Sequence, residues 1–236
     1  MRTSIKRTPR SVDSLSRQVE PPGNRSIAAM ATTYDALPIF PLPRLVLMPG
    51  ALLPLHVFEP RYRELVAHCV DSDSPLAIAT LRPGYEEHYD GSPPVYPEIG
   101  VGRLVRVQPM ADGRSNIVLS HLHCARIVDE APSERLFRCV RAEVLSLHTA
   151  GADSELAELR TMLRRVAGVF AAEDDRLGEL LDLDDLRLTN ELAAQLVHSP
   201  DARRQYIALE HLAERARVLT GHLAQALTST MSPAEG

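Results

Sequence analysis

The stretch that decides the fold is LPIFPLPRLVLMPGALLPLHVFEPRY, residues 37–62, in which prolines separate short apolar runs. Each proline removes a backbone hydrogen-bond donor and fixes φ. A long helix is therefore excluded, and the pattern predicts short edge strands rather than a central strand. The prolines concerned are Pro38, Pro41, Pro43, Pro49 and Pro54.

Two strands and a helix are predicted within and just after this stretch. Residues 45–47 and 52–58 have the apolar content of strands, and Met48-Pro49-Gly50 has the composition of a turn between them. Glu59-Pro60 is a helix start, because proline is tolerated at the first helical position and an acidic residue suits the positive end of the helix dipole. Apolar residues at helical spacing then predict a buried stripe: Tyr62, Leu65, Val66, Cys69 and Val70.

Composition places the chain among globular proteins of one large or two small domains, with 236 residues of which 44% are hydrophobic. No apolar run approaches the length that a membrane helix needs, so no membrane association is expected. Cys69, Cys124 and Cys139 are widely spaced and form no Cys-x-x-Cys pair. This pattern favours a reducing, cytoplasmic location without disulfides.

The first residues differ from the rest of the chain. Residues 1–29 contain six basic and two acidic side chains, a charge of +4, so of the overall −5 the remaining 207 residues carry −9. Because this segment has no hydrophobic periodicity, we predict a disordered basic leader over residues 1–35, and Met30 as the true start. A disordered tail is predicted over residues 229–236.

A β domain is predicted over residues 36–149. Residues 76–81, 99–107, 117–128 and 136–147 have strand patterns, and Ala111-Asp-Gly-Arg114 is a hairpin turn signal. A long loop is predicted from Tyr85 to Glu98. The unit is expected to be predominantly antiparallel.

A helical bundle is predicted over residues 150–228. Residues 149–154 form a capping signal, residues 184–198 a further helix, and Ser199-Pro200-Asp201 the cap of the next one. Apolar residues at three- and four-residue steps mark the first and last of these helices: Leu156, Leu159, Leu163, Val166 and Phe170, then Leu209, Leu212, Ala216, Leu219 and Leu223. Strands followed by helices indicate an α+β fold.

Several short motifs, in one order, resemble the Lon protease N-terminal domain family over residues 37–223. They are Leu37-Pro-Ile-Phe-Pro-Leu42, Val46 to Gly50, Leu53-Pro-Leu55, Phe58-Glu59, Arg61-Tyr62, Glu98-Ile-Gly100, Asp112-Gly113-Arg114, and Ser199 to Gln205 with Leu209-Glu210. Where the family usually has Gly and then Arg after the hairpin strand, this chain has His121 and Cys124.

The resemblance implies a PUA-like antiparallel β barrel, similar to that of pseudouridine synthases and archaeosine transglycosylases, followed by a helical bundle. It implies recognition of unfolded or tagged protein chains, as an adaptor in protein quality control that acts with a protease or chaperone. The motif residues are expected to be mainly structural: Pro49, Gly50, Pro54, Phe58, Glu59, Arg61, Tyr62, Gly100 and Gly113.

The predicted binding surface combines the tyrosine-rich loop with a hairpin at residues 45–48. Its residues are Leu45, Leu47, Met48, Tyr85, Tyr89 and Tyr96. For Leu45, Leu47 and Leu53 a place in the core is favoured over a place in the binding surface, because burial is the default for apolar residues.

No catalytic machinery or cofactor is predicted. Full-length Lon proteins follow this domain with an ATPase and a Ser-Lys protease, and both need a lysine. The only lysine of this chain is Lys6, in the leader. A Gly-x-Ser-x-Gly elbow is also missing.

The sequence also contains candidate residues for a metal site and for an RNA-binding site. The best metal candidates are His121, His123 and Cys124, of which at most two converge on a strand, with a third ligand from Cys139 or His148. Their spacing matches no standard zinc pattern, which favours ordinary strand residues. RNA binding is the alternative function, carried by Arg103, Arg106, Arg138 and Arg141. The acidic body and the scarcity of aromatic residues argue against it.

Overall fold

The computed structural model describes residues 33–88, 91–170 and 176–231, which form six β-strands and six α-helices. The strands are β1 (Thr33–Leu42), β2 (Leu52–Val57), β3 (Leu76–Leu81), β4 (Val95–Pro109), β5 (Ser115–Ala131) and β6 (Cys139–Val144). The helices are α1 (Pro60–Ser72), α2 (Asp153–Phe170), α3 (Arg176–Leu181), α4 (Asp185–Leu196), α5 (Pro200–Ile207) and α6 (Leu212–Met231). Within these ranges no helix combines the length and apolar character that crossing a membrane requires.

The strands form one mixed sheet, in the order β2-β5-β4-β3-β1-β6, with β5 also paired to β6. The predicted α+β class is confirmed. The sheet is predominantly antiparallel, as expected, and the exception is the pair β1 and β3, which run parallel. The connection between them contains β2 and α1, and is therefore long enough for the crossover that parallel strands need.

Strand β1 contradicts the prediction that the prolines exclude a central strand, because it pairs with β3 on one side and β6 on the other. The amide of Ile39 donates to the carbonyl of Arg138 in the loop before β6 (3.0 Å), so the nitrogen of neighbouring Pro38 points away from β6. The nitrogen of Pro41 points toward β6, but that ladder ends at Pro38. Neither proline interrupts a bond that the sheet needs.

The ends of the described chain differ from the predicted domain boundaries. β1 begins at Thr33, inside the predicted leader of residues 1–35, because Thr33 and Tyr34 pair with Glu143 and Ala142 of β6. Helix α6 extends to Met231, inside the predicted tail. The rest of both predicted segments, including Met30, lies outside the described residues.

Helix α1 forms as its sequence predicts, with Glu59 at the N-cap and Pro60 as the first helical residue. Four members of the predicted stripe are buried, whereas Val70 is 37% exposed. The Tyr62 ring stacks on Phe40 with centroids 4.1 Å apart, and its hydroxyl donates to the carbonyl of Pro41 (3.3 Å). These contacts hold α1 against β1.

The helical region contains the predicted leucine core, but its last helix begins later than predicted. Leu156, Leu159, Leu163 and Val166 of α2 are buried. Leu209, predicted in the last helix, lies in the turn between α5 and α6, where its carbonyl accepts from Arg215 Nε (3.2 Å). The short helix α3 was not predicted.

Residues 45–48 do not form the predicted strand. They are an irregular segment that joins the helical core to one of the two apolar clusters of the sheet, which we call the sheet core. Val46 and Met48 pack among the helices, whereas Leu47 packs within the sheet beside Leu119. The buried hydroxyl of Thr80 donates to the Leu45 carbonyl (2.6 Å). We call residues 45–48 the seam segment.

The seam segment lies directly against β4 at Gly100. A Cβ atom at Gly100 would be 2.2 Å from the Leu47 carbonyl oxygen, closer than real Cβ atoms approach another heavy atom. At Gly102 a Cβ would be 2.8 Å from Leu47 Cδ2. The glycine in the Glu98-Ile-Gly100 motif is therefore required by the close approach of another part of the backbone.

A polar cluster on β5 continues this seam. His121 Nε2 lies 3.5 Å from Cys124 Sγ, and the buried Arg215 of α6 lies near both. Burial, the largest cause, acts together with the charges of His123 and Arg215 to lower the pKa of His121 to about 4. Burial raises the pKa of Cys124 to about 11, so this thiol is not a reactive nucleophile near neutral pH.

We expect Gly100→Ala to lower the free energy of unfolding by about 3 kcal/mol, because the added methyl collides with a backbone carbonyl that cannot rotate away. The matched control is Gly221→Ala on an exposed position of α6, where nothing lies within 4 Å of the new Cβ. That variant should gain up to about 1 kcal/mol. Urea unfolding followed by circular dichroism measures both, and equal stabilities for the two variants would contradict the packing described.

We expect the fold to lose stability on acidification because of His121. The unfolded histidine takes up its proton near pH 6.5 and the folded one only near pH 4, so stability falls as the pH falls through this window, by up to about 3 kcal/mol. His121→Gln should reduce the slope of unfolding free energy against pH. A residual slope is expected, because burial also lowers the pKa of His68 and His123. An unchanged slope in His121→Gln would contradict this assignment.

Candidate functional site

Strand β2 combines a buried face with an unusually apolar exposed face. Its odd-numbered residues point inward, with Val57 buried and Leu53 and Leu55 packed against the sheet core. The even-numbered residues point outward. Among these, Leu52 is 66% exposed, and Phe58, directly after the strand, is 59% exposed.

Register with the neighbouring strands places these exposed side chains in three rows across the sheet, since paired residues share a face. We call this surface the β2 face. Written from β4 through β5 to β2, its rows are Arg103–Ser120–Leu52, Arg106–Val118–Pro54 and Gln108–Asn116–His56.

The β2 face contains an open groove of about 340 Å³, with Pro54, His56, Val118 and Arg106 among its lining residues. His56 Nδ1 donates to Asn116 Oδ1 (2.8 Å), which confirms that the two side chains lie on one face. The His56 ring is stacked at 6.2 Å from the Phe58 ring. This volume lies at the lower end of those that accommodate ligands.

Two arginines give the β2 face a positive charge. Neither Arg103 nor Arg106 forms an ion pair with any residue in the described ranges. The other two arginines proposed for RNA binding are neutralised by neighbours: Arg138 pairs with Glu130, and Arg141 with Asp129 at 3.2 Å. The four arginines therefore do not form the continuous basic groove that an RNA backbone would need.

The structure does not bring the predicted binding residues together as one surface. Leu47 and Met48 are buried in the seam segment, and Leu45 is half-buried there. Tyr85 is half-buried in a 3-10 turn, Tyr85–His88, and Tyr89 lies outside the described residues.

Tyr96 belongs to β4 rather than to the predicted loop, and it supports contact between the sheet and the helices. The guanidinium of Arg204, on α5, stacks over the Tyr96 ring at 3.8 Å and pairs with Glu98 Oε2 at 3.1 Å. Arg82 lies 5.2 Å from the same ring centroid. These contacts assign Tyr96 to packing between the two units.

Most of the family motif residues are buried, paired with neighbouring side chains or held in a backbone conformation that favours glycine. Gly50 and Gly113 have φ of +74° and +81°, which favours glycine, and Pro49 is buried. Glu59 pairs with Arg61 at 2.8 Å, and the Arg61 guanidinium lies over the Tyr62 ring. Pro54 and Phe58 are the exceptions, because both are exposed on or beside the β2 face.

The candidate metal ligands are engaged with other protein groups. His121 lies beside Cys124, and His123 Nε2 is 2.9 Å from the Tyr34 hydroxyl. Cys139 is buried in the sheet core, and the His148 ring packs against that of His211. Across the described parts of the chain there is no group of three or more His, Cys, Asp or Glu side chains that could hold a metal ion.

The β2 face is not among the surfaces predicted from the sequence, although the sequence contains one signal for it. Residues 52–58 alternate, and Leu53, Leu55 and Val57 take the buried positions. Leu52 and Phe58 therefore occupy positions where a polar residue is expected, and a large apolar residue there indicates a binding surface.

Comparison with known proteins identifies the family. Residues 36–225 match the model of the ATP-dependent protease La (LON) substrate-binding domain. The chain is also 28% identical to Lon protease 2 of Myxococcus xanthus over 133 residues, which is 56% of this chain and 16% of that protein. The matched region is thus a small part of the relative's length.

Solved structures show the same fold. The N-terminal domain of the Mycobacterium avium complex Lon protease superposes with a TM-score of 0.58 at 18% identity, covering 80% of this chain and 98% of that one. A Lon N-terminal domain protein from Xanthomonas campestris gives a TM-score of 0.56 at 24% identity, covering 79% and 97%. The resemblance predicted from the sequence motifs is confirmed, and the chain belongs to the Lon substrate-binding domain family.

Proposed function

We propose that this protein is a non-catalytic recognition module that binds unfolded or tagged protein segments through the β2 face. The observation that carries the proposal is the match of residues 36–225 to a substrate-binding domain family. The groove and the exposed Leu52 and Phe58 supply a surface for such segments, because apolar side chains are what an unfolded chain exposes and a native one buries.

The proposal includes an adaptor role in protein quality control, in which captured chains pass to a separate protease or chaperone. The pairing of β5 with both β4 and β6 links five strands in a cycle, which supports the idea of a PUA-like barrel. The shared core of α2 to α6, which follow the last strand, supports a C-terminal bundle. The three cysteines are free and buried, which is compatible with a reducing cytoplasm.

RNA binding is not favoured by any contact on the β2 face. Of the exposed residues in its three rows, only His56 has an aromatic ring on which a base can stack. Two isolated arginines supply little of the charge that a nucleic-acid backbone requires.

Binding to unfolded and native protein tests the proposal. A fluorescently labelled lactalbumin, reduced and blocked with iodoacetamide, should bind, whereas the native disulfide-bonded form should not. Fluorescence anisotropy measures both, and added ATP should change neither result. Equal binding of the two forms, or salt-sensitive binding of RNA without binding of unfolded protein, would refute the proposal.

A further inference from the structure

The charged and apolar groups of the β2 face repeat with the same geometry in two adjacent rows. In each row an arginine lies on β4 and an apolar side chain on β2: Arg103 with Leu52, and Arg106 with Pro54. One strand separates them, so the two ends of a row are about 10 Å apart at a strand spacing of roughly 4.8 Å.

Neither arginine forms an ion pair with an acidic side chain in the part of the chain that the structure describes. Asp112, on the hairpin that joins β4 to β5, is paired with Arg114 at 2.6 Å. Glu59, after β2, is paired with Arg61. A carboxylate brought by a ligand is therefore the available partner for Arg103 and Arg106, and guanidinium–carboxylate pairs are among the stronger polar contacts.

The open edge of β2 is poorly suited to accept an added strand. The amide of His121 donates to the Ala51 carbonyl (3.0 Å), which sets the parity of the β2–β5 ladder. Leu52, Pro54 and His56 consequently turn their backbone groups toward the open edge, and Pro54 in the middle has no N–H to donate. A ligand is thus better held by its side chains on the face than by backbone bonds at the edge.

We propose that the β2 face binds an extended protein segment in which an acidic side chain lies three residues from an apolar one. In the polyproline II conformation, which unfolded chains commonly adopt, residues i and i+3 lie on one side and about 9.3 Å apart. This distance matches the 10 Å from an arginine on β4 to the apolar residue on β2. The inference rests on the proposed function and specifies the ligand of the same site.

Paired peptides test the spacing and the charge. A fluorescein-labelled Gly/Ser peptide with Leu and Asp three residues apart should bind several-fold more tightly than the same peptide with Asn in place of Asp. It should also bind more tightly than a peptide with Leu and Asp six residues apart. Both chain orders are tested, because a row can be crossed in either direction.

Variants then locate the contact. Arg106→Gln together with Arg103→Gln should abolish the preference for Asp over Asn, whereas the control Arg164→Gln, on an exposed position of α2, should preserve it. Leu52→Ser should weaken binding of both peptides. Its matched control is Leu136→Ser, because Leu136 is 65% exposed and Leu52 66%. Thermal unfolding verifies that each variant is folded.

The outcomes separate this inference from the proposed function. Binding of unfolded lactalbumin without any preference for Asp, or with no effect of the arginine and Leu52 variants, overturns the inference and leaves the function standing. Absence of binding to any unfolded protein overturns both. A preference for Asp that disappears only in the β2-face variants supports the inference.

Discussion

The close approach of the Leu47 carbonyl to the backbone at Gly100 is the constraint on which the junction of the helical core and the sheet core depends. It fixes the seam segment so that Val46 and Met48 enter the helical core while Leu47 enters the sheet core. A shift of one residue would exchange these destinations and leave side chains of the wrong shape in both cores. Since burying each such side chain is worth about 1.5–3 kcal/mol, the units cannot separate at the seam without a large loss of stability.

Local signals predicted the elements whose causes are local. Helix α1, strand β3 and the hairpin at residues 111–114 follow from capping residues, apolar runs and turn chemistry, and each is present. Strand β1 was mispredicted because tolerance of Pro38 and Pro41 depends on where the partner strand β6 ends, which the sequence around the prolines does not contain. The role of Gly100 was hidden for a similar reason: the atom that excludes a side chain there belongs to a residue more than fifty positions earlier.

The candidate site was predictable only in part. The outward position of Leu52 and Phe58 follows from alternation along β2. That the two arginines share this face could be recognised only from the observed register of β4 and β5. Arg103 and Arg106 are three residues apart, so in a regular strand they would point to opposite faces. The irregularity between Leu104 and Arg106 brings both onto the face that Val118 and Leu52 share. No residue propensity indicates such a bulge, and without it Arg103 and Arg106 are assigned to opposite faces of the sheet.

The architecture suits the proposed recognition of chains that have no fixed structure. The β2 face is built on paired strands. The start of β2 is fixed beside the seam segment, because the Ala51 carbonyl accepts from the His121 amide and the Ala51 side chain packs against both the helical core and the sheet core. The ordering cost of binding therefore falls on the ligand, which limits affinity per contact. In the proposed binding mode, the two rows that each combine an arginine with an apolar side chain offset this limit on affinity. A flexible segment can bind in either row, so more than one bound register contributes to the affinity. Pro54 favours release of a bound segment, because it lies in the edge strand and prevents that segment from pairing there as an added strand.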